Sequence, residues 1–275
     1  MGDDFLARLR PLIGDKGISN MRDAVVAIAG LGGTGSPAFI HLVRMGVRCF
    51  KIAENGVFNE PDINRQVGAF RSTMNKPKID VYYDMAKDIN PDVELVLFRD
   101  GVTSENLGHF VEGSHIFVRM LNLQKDMVLE SAIPKVLEEH NCVCFSSYLL
   151  GFGALVFNYK PGGISVVDAL SMVTQGKTER LIGGLLPPFL TQFFSEPVMR
   201  RVVAYLEKSG DFPSNAPAAQ LAGTLAASEI CAYLLQDTDL VTREVVWSPK
   251  FITCDLFTMN LRVWDLREFA LQNPE

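Results

Sequence analysis

The 275-residue sequence contains no Cys-x2-Cys pair, so it lacks the usual ligand spacing of a tetrahedral zinc site. Its five cysteines, at 49, 142, 144, 231 and 254, are an odd and scattered set. They read as small core residues of a reducing cytoplasm. Cys142 and Cys144 fall two apart, on one face of an expected strand. The four histidines, His41, His109, His115 and His140, do not cluster and read as surface or capping groups rather than catalytic ones. There is no excess of positive charge: 26 Lys and Arg against 32 Asp and Glu give a net charge of −6, which speaks against nonspecific nucleic-acid binding. The acidic start, Met1-Gly2-Asp3-Asp4-Phe5, has neither the basic nor the apolar region of a secretory signal. Leu6 stands where a myristoylation motif needs Ser or Thr. The longest apolar stretch, Leu221 to Leu235, contains Thr224, Ser228 and Glu229, and reads as a buried helix rather than a membrane span.

What is present is ordinary globular composition, 48% apolar and 21% charged, on a chain long enough for a large core. Residues 25–31 (VVAIAGL) form a run rich in Val and Ile, as expected of a strand buried on both faces of a parallel sheet. Further strands are expected at 47–54, 93–98, 115–121 and 142–149, with helices at 36–45, 76–90 and 124–140, the last carrying Pro134 as a kink. This alternation predicts an α/β fold, a Rossmann-type doubly wound and mostly parallel sheet. Residues 153–163 read as antiparallel and end in a Pro-Gly-Gly turn. Residues 164–187 carry no clear period, and Gly176, Gly183 and Gly184 suit a mobile loop. Helices at 197–208 and 218–236 and a strand-rich tail at 244–264 complete an antiparallel C-terminal extension. The division expected is a nucleotide-binding core, 1–163, and an extension, 164–275, packed on the same domain.

The turn Gly30-Leu31-Gly32-Gly33-Thr34-Gly35-Ser36 lies between the first strand and the first helix. Glycines there let backbone N–H groups approach phosphate oxygens, and the helix N-terminus adds unpaired donors. Glu54, at the end of the second strand, stands where an acidic residue reaches ribose hydroxyls. NAD fits the glycine pattern as well as ATP does. Asn64-Arg65-Gln66 and the later Lys78 favour ATP, because these two cations can reach a triphosphate from the side opposite the glycine loop.

GLGGTGS, a strand, then NRQ and a downstream lysine resemble the ThiF/MoeB superfamily of ATP-dependent, ubiquitin-activating-like adenylyltransferases. The resemblance implies that Gly30, Gly32, Gly33 and Gly35 hold phosphate, that Glu54 holds ribose, and that Asn64 and Gln66 also contact the nucleotide. It implies catalytic roles for Arg65 and Lys78 and, across a homodimer interface, for Arg8, with Arg10 as a competing choice. The expected reaction joins a carboxylate to AMP. The acyl donor is the C-terminus of a small ubiquitin-like carrier protein, a peptide or a small carboxylic acid, with no nucleic acid and no membrane involved. ATP with Mg2+ is the expected cofactor set. The chain departs from the pattern at three places: Gly56 and Asp62 replace an aspartate and an asparagine, and Leu121 replaces the magnesium-holding aspartate. Asp62 or Asp126 could supply the metal ligand instead. Residues 164–216 contain no cysteine for a thioester step, and Cys254 reads as core packing, so chemistry would stop at the acyl-adenylate. The alternative is a degenerate binding subunit that presents a carrier or peptide to a partner enzyme.

Overall fold

The computed structural model describes residues 4–121, 127–177, 187–209 and 212–270. Its centre is a mixed sheet built around β1 (Val25–Ala29), β2 (Cys49–Ala53), β3 (Glu94–Phe98), β4 (Ile116–Arg119) and β5 (Val143–Leu150), all parallel. β6 (Gly153–Tyr159), β7 (Lys250–Asp255) and β8 (Asn260–Asp265) extend it antiparallel, in the order β3-β2-β1-β4-β5-β6-β7-β8. The doubly wound sheet expected from alternating strands and helices is therefore present, with its antiparallel extension.

Alternation along β1 shows why both faces are covered. Val26 and Ile28 join one apolar cluster, to which α1 (Arg10–Asp23), α2 (Gly35–Arg44), α3 (Lys78–Ile89) and α8 (Ala216–Leu234) contribute. Ala27 and Ala29 point the other way, into a cluster shared with α4 (Leu107–Val111), α5 (Met127–Glu139), α6 (Val166–Thr174) and α9 (Leu266–Ala270). α7 (Glu196–Ser209) lies between α6 and α8 in the chain. The chain leaves β1 toward β2 on one side and returns to β4 on the other. That reversal opens a crevice at the carboxyl ends of β1 and β4, where ligands of such sheets bind.

α8 brings the extension to this crevice. A Cβ at Gly223 would lie 2.4 Å from Pro37 Cγ and 2.7 Å from the Thr34 carbonyl, so only glycine lets α8 approach the start of α2 this closely. The interrupting charge in this helix, Glu229, is 2% exposed and accepts from Val246 N at 3.0 Å while pairing with Arg243. Among the described residues no helix is long and apolar enough to cross a membrane. Cys142 and Cys144 are buried in the second cluster, and burial pushes the Cys144 thiol up to about 12.

Among the described residues four α-helices are not expected from the sequence; α4 and α9 are five residues each, and two are longer. Residues 166–174, read as part of a loop, form α6. Its Val166, Val167 and Val173 are poor helix formers, which masked the signal. The capping box nevertheless stands in the sequence: Ser165 Oγ accepts from Asp168 N at 3.2 Å, and Asp168 Oδ2 accepts from Ser165 N at 2.9 Å. Val166, Ala169 and Val173 then face the core as one stripe. Gly183 and Gly184 lie outside the described residues. The second is α1, unassigned by sequence because Gly14, at φ +66°, interrupts its period.

Candidate nucleotide-binding site

The glycine turn divides into two functions. Gly30 sits at φ +93°, and a Cβ there would lie 2.6 Å from the Met120 carbonyl. A Cβ on Gly35 would come within 1.9 Å of the Gly30 carbonyl. These two glycines close the turn. Gly32 and Gly33 face outward: a Cβ at Gly32 meets nothing within 4 Å, and one at Gly33 would touch Arg65 Cγ and Cδ at 3.3 Å. Ser36 Oγ donates to the Gly32 carbonyl at 2.7 Å and fixes the turn to α2.

Glu54 binds the turn from the neighbouring strand. Its Oε2 accepts from Leu31 N at 2.9 Å and its Oε1 from Gly56 N at 2.8 Å. A Cβ at residue 56 would lie 2.9 Å from that Oε1, so Gly56 accommodates the longer carboxylate that Glu54 supplies. The departure from the family pattern at Gly56 thus fits the glutamate at 54. Each carboxylate oxygen keeps further acceptor capacity for a hydroxyl.

The residues after β2 converge on Asp62, which is 3% exposed. Its Oδ2 accepts from Asn59 N at 3.1 Å and lies 3.2 Å from Lys78 Nζ. Its Oδ1 accepts from Gln66 Nε2 and lies 3.5 Å from Arg65 Nη2. Lys78 reaches this point because its own N–H donates to the Gly56 carbonyl at 2.9 Å, which pins the start of α3 to the end of β2. Two cations share one carboxylate, so the cluster keeps a net positive charge. Arg65 rests on the glycine turn itself, rather than across from it, because Gly33 has no side chain. Asn64 turns its amide to the Ser214 carbonyl at 3.0 Å, and its own carbonyl accepts from Arg65 Nη1 at 3.0 Å. Gln66 Oε1 is buried with no hydrogen-bond partner among the described residues. Arg8 is exposed on the turn before α1 and is not among the residues that line this chain's cleft. Arg10 pairs with Asp15.

Gly33, Asp62, Asn64, Arg65, Gln66 and Lys78 line one end of a cleft of about 880 Å³, whereas Gly30, Gly32, Gly35 and Glu54 are not among its lining residues. Leu121, just beyond β4, is half-buried, lines the middle of the cleft and packs against the second core cluster. It brings no oxygen. Among the described residues no group of three His, Cys, Asp or Glu side chains could hold a metal, and both Asp62 oxygens are engaged. The described residues thus supply no three-ligand site of their own for magnesium, a cation that takes phosphate and water oxygens beside one or two carboxylates; Asp126 lies outside the described residues.

Sequence reading did not single out the support beneath the cleft. Arg119, 1% exposed, donates from Nε to Glu130 Oε2 at 2.8 Å, pairs again through Nη2, and donates from Nη1 to the Tyr148 hydroxyl at 2.9 Å. Burial opposes the arginine's charge, but Tyr148 and Glu130 outweigh it and hold its pKa above the ordinary value. Burial likewise pushes the Tyr148 phenol upward. The signal available in the sequence was a lone charge inside the apolar run HIFVRML.

The chain is similar to tRNA threonylcarbamoyladenosine dehydratase of Bacillus subtilis, 32% identical over 100 residues, which span 36% of this chain and 39% of that protein. It is 25% identical over 162 residues to the sulfur carrier protein ThiS adenylyltransferase of Escherichia coli, covering 58% of this chain and 63% of the relative. The matched stretches thus span less than two thirds of either relative. A crystal structure of E. coli MccB with ATP superposes with a TM-score of 0.71 at 14% identity, over 96% of this chain and 72% of that one, a likeness of fold. The sequence profile of the ThiF family matches residues 6–275, and the chain belongs to that family.

Proposed function

We propose that this protein binds ATP and joins a carboxylate to its α-phosphorus, releasing pyrophosphate and forming an acyl-adenylate. The observation that carries the reading is the pair of cations, Arg65 and Lys78, fixed on one buried carboxylate beside an open glycine turn. In the reaction a substrate carboxylate oxygen attacks the α-phosphorus while the bond to the α–β bridging oxygen breaks, and that electron pair leaves with pyrophosphate. The N–H groups of the turn and the α2 N-terminus meet the phosphates. Arg65 and Lys78 neutralise the charge that grows on the leaving group, and being already positioned they need little reorganisation. Glu54 accepts from the ribose hydroxyls. The family's adenylyltransferase relative and the ATP complex of MccB support the same chemistry. The acyl donor is a carrier-protein C-terminus, a peptide or a small acid, and Arg8 acts in a homodimer on the partner's phosphates.

A second reading has its own observation. Leu121 gives the cleft no metal ligand, which suits a subunit that binds nucleotide and a carrier or peptide without turning them over. Exchange of labelled pyrophosphate into ATP, in the presence of candidate carboxylates, separates the two. Adenylation predicts exchange that Lys78→Ala lowers about tenfold to a hundredfold, the loss of one charge-assisted contact of ~1.5–3 kcal/mol. ATP binding without exchange by any carboxylate would favour the binding subunit.

A further inference from the structure

The cleft does not end at Leu121. It continues over β5 and β6 into a second lobe walled by Leu155, Phe157, Val173, Phe189, Phe251 and Leu266. All but Phe189 of these are buried in the second core cluster, so the wall is built rather than a surface accident. The charged side chains on the cleft wall, Asp62, Arg65 and Lys78, sit together at the glycine-turn end. Among the described residues the far lobe has none. At the junction the Tyr148 hydroxyl accepts from Arg119, and Ser147 Oγ donates toward Met120 Sδ at 3.5 Å.

Sheet order fixes which part of a ligand can reach this lobe. Glu54 ends β2, on one side of β1, whereas β4, β5 and β6 follow on the other. With ribose at Glu54 and phosphates over the turn after β1, the lobe lies on the side away from the nucleoside. That is where the group joined to the α-phosphorus would lie.

We infer that the carboxylate activated here is flanked by a bulky apolar group, a branched aliphatic or aromatic side chain, which this lobe receives. The inference rests on the adenylation reading for its orientation. A glycine-ended tail would leave the apolar wall unfilled, and a charged side chain would lose its water without gaining a partner.

The test uses N-acetylated leucine, phenylalanine, glycine, asparagine and lysine as probes on the full chain. Calorimetry with and without AMP measures binding, and pyrophosphate exchange measures turnover. The leucine and phenylalanine probes should bind at least about tenfold more tightly than the glycine probe. Asparagine and lysine should gain nothing over glycine, and AMP should not displace the apolar probes. Leu170, on α6, also lines the cleft. Leu170→Asn should shrink the leucine-to-glycine preference while Leu170→Met keeps it, a ratio that a general loss of folding would not change. Equal affinity for the glycine probe, displacement by AMP, or no binding of any apolar probe overturns the inference. Apolar preference in binding without exchange by any acid leaves the lobe assignment standing and removes the adenylation reading. Exchange that favours the glycine probe does the reverse.

Discussion

Asp62→Asn separates the charge of the central carboxylate from its place in the fold. At 3.2 Å from Lys78 Nζ, and with an effective dielectric of about 20, the Asp62 charge attracts the lysine by about 5 kcal/mol before desolvation is subtracted. Phosphate oxygens must compete with that attraction. Asparagine keeps one acceptor oxygen, enough for Gln66 and Arg65, but turns an NH2 donor toward Asn59 N–H and Lys78 Nζ. Two contacts to the charged carboxylate are lost, the Asn59 N–H bond and the Lys78 pair, worth together about 3–6 kcal/mol of stability. In return Arg65 and Lys78 face the triphosphate without a competing anion. At a separation of about 5 Å and the same dielectric, removing one negative charge relieves about 3 kcal/mol of gross repulsion per phosphate charge. After screening, a gain of roughly tenfold in ATP affinity is expected, with a smaller gain for AMP. Thermal melts and calorimetry at low and high salt check this. The unliganded variant should melt lower, and ATP should raise its melting temperature by more than it raises that of the unmodified protein. If ATP affinity falls together with stability, Asp62 supports the bound nucleotide rather than restraining the cations, and the argument fails.

Three further outcomes follow from the same geometry. Glu130→Gln leaves the Arg119 charge buried without its carboxylate; the cost is about 3–5 kcal/mol, and a melting temperature lower by roughly 10 °C is expected. A change of about 2 °C or less would mean that the pair is dispensable. Leu121→Asp places a carboxylate on the cleft wall and should raise magnesium-dependent ATP affinity. Melts with and without Mg-ATP that show only destabilisation would place the side chain in the core instead. Chains carrying Arg8→Ala, mixed with chains carrying Arg65→Ala, should recover part of the exchange activity if sites are completed across a homodimer. A monomer by light scattering, or no recovery, removes that role for Arg8.

The sequence by itself determined the elements whose signal is local. VVAIAG is apolar at successive positions because β1 is covered on both faces, and the glycines that follow are demanded by contacts within their own turn and with Met120. Glu54, Arg65 and Lys78 were singled out because their spacing along the chain repeats a family pattern; the structure sets Arg65 and Lys78 on Asp62 and Glu54 on the glycine turn. α6 was obscured because three valines lowered its local propensity, although its capping box was written out. What only tertiary structure decided is how distant segments meet. Asp62, read as a departure from the family, becomes the centre of the cation cluster because Lys78 is pinned to Gly56. Gly56 makes sense only beside Glu54. The Arg119–Glu130 pair and the apolar lobe join residues from β4, α5, β6, α6, β7 and α9. Such meetings follow from side-chain contacts across the folded chain, and hydrophobic periodicity carries no record of which stripe will face which.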